Sequence, residues 1–399
     1  MPSRSIGYTV VREATFYGQR TETTSPTIIT VVQQEYNHDI LSLVSYLDDN
    51  TPNRYAIGTP VSVSWGLLGK RVEVFQGYVH HTEPIYTTAG SKAQRNLVKV
   101  VCVGATFLMK EKHRRVWSGR SITSVLCEIF NAYKLSANIT PDTRVWETMV
   151  QSDETDWQFV CGLAQRNGWT VVPNNTDVTV APRWVDLRAV RNSVSSFRAT
   201  GADESIGGLG QVFTFQAVDG ETTPDGGQKA ARVAYGIDPA QGELFVAQQD
   251  VAPPQLGWIS PTPFFTEYST DVARSYGEAA IRLRGASEGA RMYIQAKAEV
   301  MGDATVRPGK LVSLAGLGAK NDGLWYVQMA EHEVNQGTYL LHLTLGRDAR
   351  WDNGFRPSTK RRRVLVTRTG AYGEPVGETP PTVLVAGMWR AAYAKPVTA

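Results

Sequence analysis

Four groups of side chains in this sequence have residue types that could do chemistry. His80 and His81 are neighbouring imidazoles. Adjacent side chains on a regular strand point to opposite faces, so the two cannot ligate one ion from that element, and a structural or surface role is expected. Glu331, His332 and Glu333 place two carboxylates on one strand face and the imidazole on the other. That arrangement reads as a solvated strand end and not as an acid/base constellation. Asp153, Glu154 and Asp156 could be taken for the paired carboxylates of sugar chemistry. In the first turn of a helix they instead complement the helix dipole, and that role is expected. Lys360, Arg361, Arg362 and Arg363 form a basic run without interleaved aromatics, which points to a solvated or protein-contacting segment before a nucleic-acid site.

Most signatures of metal and phosphate chemistry are missing. No CxxC, HExxH or Walker-type GxxxxGK(S/T) sequence occurs, so no enzyme activity, metal or cofactor is expected. Cys102, Cys127 and Cys161 are odd in number and lie among apolar neighbours, which suits reduced, buried thiols and no disulfide framework. A net charge of +3 is too small to announce a nucleic-acid footprint across the whole chain. The longest apolar stretch, Val100 to Met109, is too short for a membrane helix, and Met1 to Val10 has no signal-peptide core, so stable membrane insertion is not expected.

At 399 residues the chain should hold several domains. From Thr27 to Val103 the apolar residues alternate, with Val61, Val63 and Trp65 on one face, then Phe75 and Val79, then Val98 and Val100. This is the period of half-buried strands, and it suggests a small antiparallel barrel or sandwich. Ile40 to Tyr46 fits a strand or two helical turns equally well. Ile122, Val125, Leu126, Ile129, Phe130 and Tyr133 follow helical spacing, with Ser121 placed as the cap. A second helix is predicted over about Asp153 to Arg166, capped by Ser152 and stopped by Asn167-Gly168, and a hairpin follows around Asn174-Asn175.

Strand alternation resumes at Gln211 to Val218. A proline- and glycine-rich stretch follows, with Pro224, Pro239, Pro253, Pro254, Pro261 and Pro263, and reads as a long surface loop. A helix near Asp271 to Leu283 and a strand at Ile294 to Val300 come next, and the closing strands are Lys310 to Leu314, Leu324 to Val334 and Thr338 to Leu345. Gly58 to Gly104 and Gly309 to Gly346 share an order of signals, which suits either a divergent internal repeat or convergent meander geometry. Residues 351–399 read as an extension.

With these elements placed, an ordered set of motifs resembles the phage tail hub family, which includes late-control D tail proteins and the hub portion of type VI secretion spikes. The motifs are Phe75-Gln76-Gly77-Tyr78-Val79 with Pro84, Arg115 to Ser121, and above all Gln151-Ser152-Asp153-Glu154-Thr155-Asp156-Trp157 running on to Gly168. Pro308-Gly309-Lys310-Leu311-Val312 with Gly323 to Val327 completes them. The resemblance implies a mainly β chain with an α/β insert, in which two tube-like antiparallel β-barrel domains (1–106 and 186–350) flank a small α/β domain (107–185), with a C-terminal extension (351–399).

It further implies a structural, non-enzymatic subunit of the virion tail tip or baseplate, made in the host cytoplasm. Three chains would form a pseudo-sixfold ring joining the hexameric tail tube protein to distal tail and other tail-tip proteins. The ring's channel would pass the tape-measure protein and then DNA in transit. Candidate protein–protein contacts are Val61, Val63, Trp65, Phe75, Tyr78, Leu311, Leu314, Trp325 and Val327, with Lys360, Arg361, Arg362 and Arg363 reaching peripheral partners. A tail-associated cell-wall hydrolase would need paired catalytic carboxylates or a zinc triad, which are not found. A receptor-binding tip protein is suggested by ten tryptophans and sixteen tyrosines. Core packing accounts for Trp65, Trp117, Trp157 and Trp325.

Overall fold

The computed structural model describes residues 10–17, 21–46, 54–67, 70–85, 97–142, 144–182, 195–199, 211–219, 229–238, 243–250, 265–268, 273, 275–289, 294–318, 321–335, 338–347, 363–369, 381–385 and 388–390. The chain divides into two compact units. One comprises residues 1–164, 170–217 and 296–346, the other residues 165–169, 218–295 and 347–399.

In the first unit the strands are β1 (Val10–Tyr17), β2 (Thr21–Thr24), β3 (Ile28–Gln34), β4 (Ile40–Tyr46), β5 (Pro60–Leu67), β6 (Lys70–Ile85) and β7 (Leu97–Gly104). Ile40–Tyr46, ambiguous by period, is a strand because it is paired on both sides, with β3 and β7. The alternating apolar side chains meet in one core that includes Phe16, Leu41, Val63, Trp65, Phe75 and Val100. Gly77 sits where a Cβ would lie 2.1 Å from the Val103 carbonyl oxygen and 2.7 Å from the Phe75 ring. Gly77→Ala is therefore expected to cost about 1–3 kcal/mol of stability through overpacking, read as a lower urea midpoint with an unchanged m-value.

The insert runs through β8 (Lys112–Ser121), α1 (Ile122–Ala132), β9 (Ser136–Ile139), β10 (Val145–Thr155), α2 (Asp156–Arg166), β11 (Trp169–Asn174) and β12 (Asp177–Pro182). Helix α1 begins as its sequence predicts, with Ser121 accepting from the Ser124 amide at 3.2 Å, and it buries Ile122, Val125, Leu126, Ile129 and Phe130. Helix α2 starts later than expected. Residues 145–155 are held as a strand against β8, and the cap is Thr155, not Ser152. Thr155 Oγ1 accepts from the Gln158 amide at 3.1 Å while Gln158 Oε1 accepts from the Thr155 amide at 3.0 Å, a reciprocal capping box. Asp153 and Glu154 thus lie outside the first helical turn, and only Asp156 is in it.

The remaining strands of the first unit are β13 (Ser195–Arg198) and β14 (Val212–Asp219). After the second unit's β15 (Lys229–Asp238), β16 (Glu243–Asp250), β17 (Phe265–Tyr268) and α3 (Tyr276–Gly289) come β18 (Ile294–Met301), β19 (Leu311–Ala315), β20 (Gly323–Asn335) and β21 (Thr338–Arg347). One sheet runs β14-β18-β21-β20-β3-β4-β7-β6-β5-β1-β2, with β19 between β13 and β20. Its path is open, so the fold is mainly β but no closed barrel exists among the described residues.

The two β segments repeat each other in backbone detail. Gly58 and Gly309 both have left-handed φ, 84° and 82°. Each donates its amide to a valine carbonyl, Val79 at 2.8 Å and Val327 at 3.0 Å, and each valine donates back to the residue after the glycine, Thr59 or Lys310, at 2.9 Å. Directly beyond, β6 bulges between Val79 and His81, and β20 bulges between Val327 and Met329. The strand orders β3-β4-β7-β6-β5 and β14-β18-β21-β20-β19 match. Convergence on a meander does not require the same glycine conformation, amide exchange and bulge at one position. The two segments therefore share one strand order and one local backbone geometry.

In the second unit, β15 and β16 pair antiparallel inside the stretch read as an irregular loop. The sheet order is β17-β15-β16 followed by β22 (Arg363–Thr369), β23 (Pro381–Val385) and β24 (Met388–Arg390). The part of the C-terminal segment that is described is therefore a sheet component. Leu244↔Thr369 to Gln249↔Val364 is its register on β16. Ala234, Phe245 and Ala247 pack under Ala279, Ala280 and Leu283 of α3.

Candidate assembly surface and the junction that builds it

The motif of greatest specificity in the sequence builds a junction. Asp156, fully buried at the start of α2, accepts from Tyr133 Oη at 2.8 Å, Gln151 Nε2 at 2.8 Å and Arg115 Nη1 at 3.3 Å. It thereby fastens α2 to α1 and to the β8–β10 ribbon. Burial, reinforced by the Asp156 carboxylate, pushes the Tyr133 hydroxyl up to about 12, so it stays a donor at any physiological pH. The next residue, Trp157, donates its indole N–H to the Tyr36 carbonyl at 3.0 Å, and Cys161 Sγ lies 3.7 Å from the same oxygen. Tyr36 has φ 61°, and its amide donates to Val171. The left-handed turn between β3 and β4 is thus held by the insert. This geometry positions strands; it presents no nucleophile–base pair.

A second knot lies at Arg307. Its Nη2 donates to the Glu73 carbonyl at 2.7 Å and its Nη1 to Asn174 Oδ1. One side chain therefore bridges β6, the β11–β12 turn and the loop leading to β19. Asp39 and His332 are buried close enough to feel its charge. His332, read as part of a solvated strand end, is instead fully buried. It hydrogen-bonds Tyr339 Oη at 2.8 Å and packs 5.8 Å from the Trp65 ring. The cover comes from the other segment, which no local pattern around residue 332 reveals.

Burial lowers His332 to about 3 and raises Asp39 to about 7, overriding Arg307, Gln33 and the Asn175 amide. As pH falls from 6.5 to 4 the unfolded chain takes up a proton at His332 that the folded chain does not, so stability falls. Over nearly the same range the folded chain keeps the Asp39 proton that the unfolded chain releases, so that contribution rises. Each slope is at most about 1.4 kcal/mol per pH unit, and they oppose one another. Asp39→Asn removes only the second. Its stability between pH 6.5 and 4 is expected to drop more steeply than the parent's, by up to that slope, in urea midpoints taken at half-unit steps. Parallel curves would mean Asp39 is ionised throughout.

The side chains singled out as contacts lie inside the chain. Val61, Val63, Trp65, Phe75, Leu311, Leu314, Trp325 and Val327 are each at most 2% exposed, and Tyr78 is half-buried. Lys360, Arg361 and Arg362 lie outside the described residues, and Arg363 opens β22. What these strands offer outward is their edges. The second half of β20, Met329 to Asn335, pairs with β3 of the other segment. The equivalent half of β6, His81 to Ile85, pairs with β7 but has no strand on its β5 side among the described residues. Strand β14, the counterpart of β3, ends the sheet path. One such joint is made inside the chain, and the two halves of a second have no partner strand among the described residues.

The fold is mainly β, with its helices set between runs of strands. The chain belongs to the phage tail baseplate hub (GPD) family, whose model matches residues 39–338. It is a structural component of a phage tail. Among solved structures it is similar to the 43 kDa tail protein of prophage MuSo2 from Shewanella oneidensis, at 14% identity and a TM-score of 0.58, over 85% of this chain and 99% of that one. The tail protein from Neisseria meningitidis MC58 aligns at 11% identity and a TM-score of 0.61, over 87% of this chain and all of that one. An E. coli component of the type VI secretion system aligns at 9% identity and a TM-score of 0.50, over 95% and 91%. No curated protein sequence matches the chain. No helix among the described residues is long and apolar enough to cross a membrane.

Proposed function

We propose that three copies of this chain close head to tail into a six-unit ring that joins the tail tube to the tail tip, by adaptor geometry and without catalysis. The observation that carries this is the joint left without a partner among the described residues: the second half of β6 and the outer edge of β14 are the counterparts of β20 and β3, which already pair within the chain. Pairing β6 of one chain with β14 of the next repeats that joint. A heterologous contact of this kind gives a ring when its rotation closes. On this reading the tube-like wall is closed only between chains, which accounts for the open sheet of one chain. Six similar segments would meet a hexameric tube protein, other parts of the chain would meet distal tail and tip proteins, and the channel would pass the tape-measure protein and DNA.

Pro84 supports the reading. It pairs with Val98 across β7, and a proline inside a paired strand turns its missing donor away from the partner. It therefore blunts the free edge against indiscriminate pairing while leaving its other donors in place. Thr82, two residues away, faces its amide to the same side. Light scattering on the purified chain is expected to give three times 43.9 kDa, 131.7 kDa. Thr82→Pro should shift that mass to 43.9 kDa with an unchanged circular dichroism spectrum. A parent that is monomeric at tens of micromolar would sink the self-assembling ring. A trimeric Thr82→Pro would sink the β6 edge as its joint.

A further inference from the structure

The bulge in β6 changes what its two histidines can do. His80 is the extra residue, unpaired in the ladder between Val79↔Cys102 and His81↔Val101. A bulge re-aims the side chain it carries. The rings of His80 and His81 consequently share one side, with their Nδ1 atoms 2.8 Å apart and both residues accessible to solvent. The alternation rule for regular strands does not hold here.

The surroundings fix which nitrogens are free. His81 Nε2 lies 3.1 Å from Glu83 Oε1, and Lys99 Nζ donates to Glu83 Oε2 at 3.1 Å. The Glu83 carboxylate thus sits between two nitrogens and accepts from both. His81 must then carry its proton on Nε2 and present a lone pair at Nδ1. This is the carboxylate–imidazole arrangement that orients metal-binding histidines. The His80 ring is braced edge-on by Phe107, with centroids 5.4 Å apart. In the absence of metal, His80 Nδ1–H donates to His81 Nδ1. Moving that proton to His80 Nε2 frees both Nδ1 lone pairs, and a small turn of each ring would let them share one ion.

We propose that His80 and His81 form a bidentate site for a divalent transition-metal ion that prefers square-planar or tetragonal coordination, such as Cu2+ or Ni2+, with water completing the shell. Two nitrogens at about 2.0 Å from a metal in cis positions at 90° lie about 2.8 Å apart, whereas tetrahedral geometry spreads them to about 3.3 Å. The spacing therefore favours these ions over Zn2+. The equivalent bulge in β20 carries Gln328 and Met329, so the site occurs once per chain. It rests on the bulge and not on the proposed ring.

The test is calorimetric titration of the untagged full-length chain with NiCl2, and electron paramagnetic resonance with one equivalent of CuCl2. One ion per chain is expected, with two-nitrogen hyperfine structure on copper. His80→Ala and His81→Ala should each weaken binding at least tenfold, and Glu83→Gln by about tenfold. Glu83→Gln leaves both ligands in place, so it separates loss of orientation from loss of the site. Binding in the His80→Ala/His81→Ala double variant as tight as in the parent would place the ion elsewhere and overturn the proposal. No binding below millimolar concentration would overturn it too, as would a variant spectrum showing that the β structure had changed with the binding.

Discussion

Replacing Arg307 by alanine is expected to destabilise the first unit by about 3–5 kcal/mol, because one member of a buried charged cluster is removed and its partners stay behind. The guanidinium serves three segments at once: the Glu73 carbonyl, Asn174 and the charge of Asp39. Water cannot replace it easily in a position 9% exposed. The cost should depend on pH. Below about pH 7 Asp39 carries a proton in the parent and has little charge for Arg307 to offset; at pH 8 it is ionised there, so more is lost with the guanidinium. Denaturant midpoints for Arg307→Ala should therefore lie further from the parent at pH 8 than at pH 6. Adding Asp39→Asn should recover part of the difference at pH 8, as a double-mutant cycle. A cost equal at both pH values would show that the hydrogen bonds, not the charge, make the knot.

Asp156→Ala is expected to be similarly severe, about 3 kcal/mol or more, since it strands several donors around a fully buried acceptor. Tyr133, Gln151 and Arg115 all lose their common partner. Arg115 is partly exposed and can be rehydrated, whereas Gln151 is buried. Asp156→Asn keeps the volume and one acceptor, so it should cost less. The location of the damage is the sharper test. Amide exchange should accelerate in α1, α2 and the β8–β10 ribbon, while β4 and β7, whose ladder does not involve Asp156, stay protected. Uniform acceleration across both would mean that the insert does not open separately from the sheet.

The parts of this fold that were legible in the sequence are those set by near neighbours. Helix α1 follows from six apolar residues at one angular period and a serine before them, and both features were found in place. The strands from Thr27 to Val103 and from Lys310 to Leu345 follow from alternation in the same way. The start of α2 was not legible, because Ser152 and Thr155 are both competent caps. The ladder to β8, formed by residues remote in sequence, decides between them. The β15–β16 pair was hidden by the prolines that precede, separate and follow its strands in the sequence. Arg307 and Asp39 carried no signal beyond their positions beside motif residues, since burial of a charge depends on what folds over it.

The bulge at His80 is a property of the ladder with β7, so a rule built on one strand's period could not place the two rings on one side. The contact residues show the converse. Apolar residues at strand period identify what is covered, and in this chain their cover is intramolecular. Interface strength in such a sheet lies in backbone donors and acceptors at its edges, which every sequence possesses and none advertises.

In the proposed ring, the β3–β20 joint would also set the concentration regime of assembly. Linked segments meet at an effective concentration fixed by the polypeptide, independent of how much protein the cell has made. In a closed wall of six units, that tether would pre-form every second joint. The wall would then form by two bimolecular encounters in place of five, the last joint closing within the assembly, and its population would scale with the third power of free protein in place of the sixth, so it would survive dilution that would disperse six separate units.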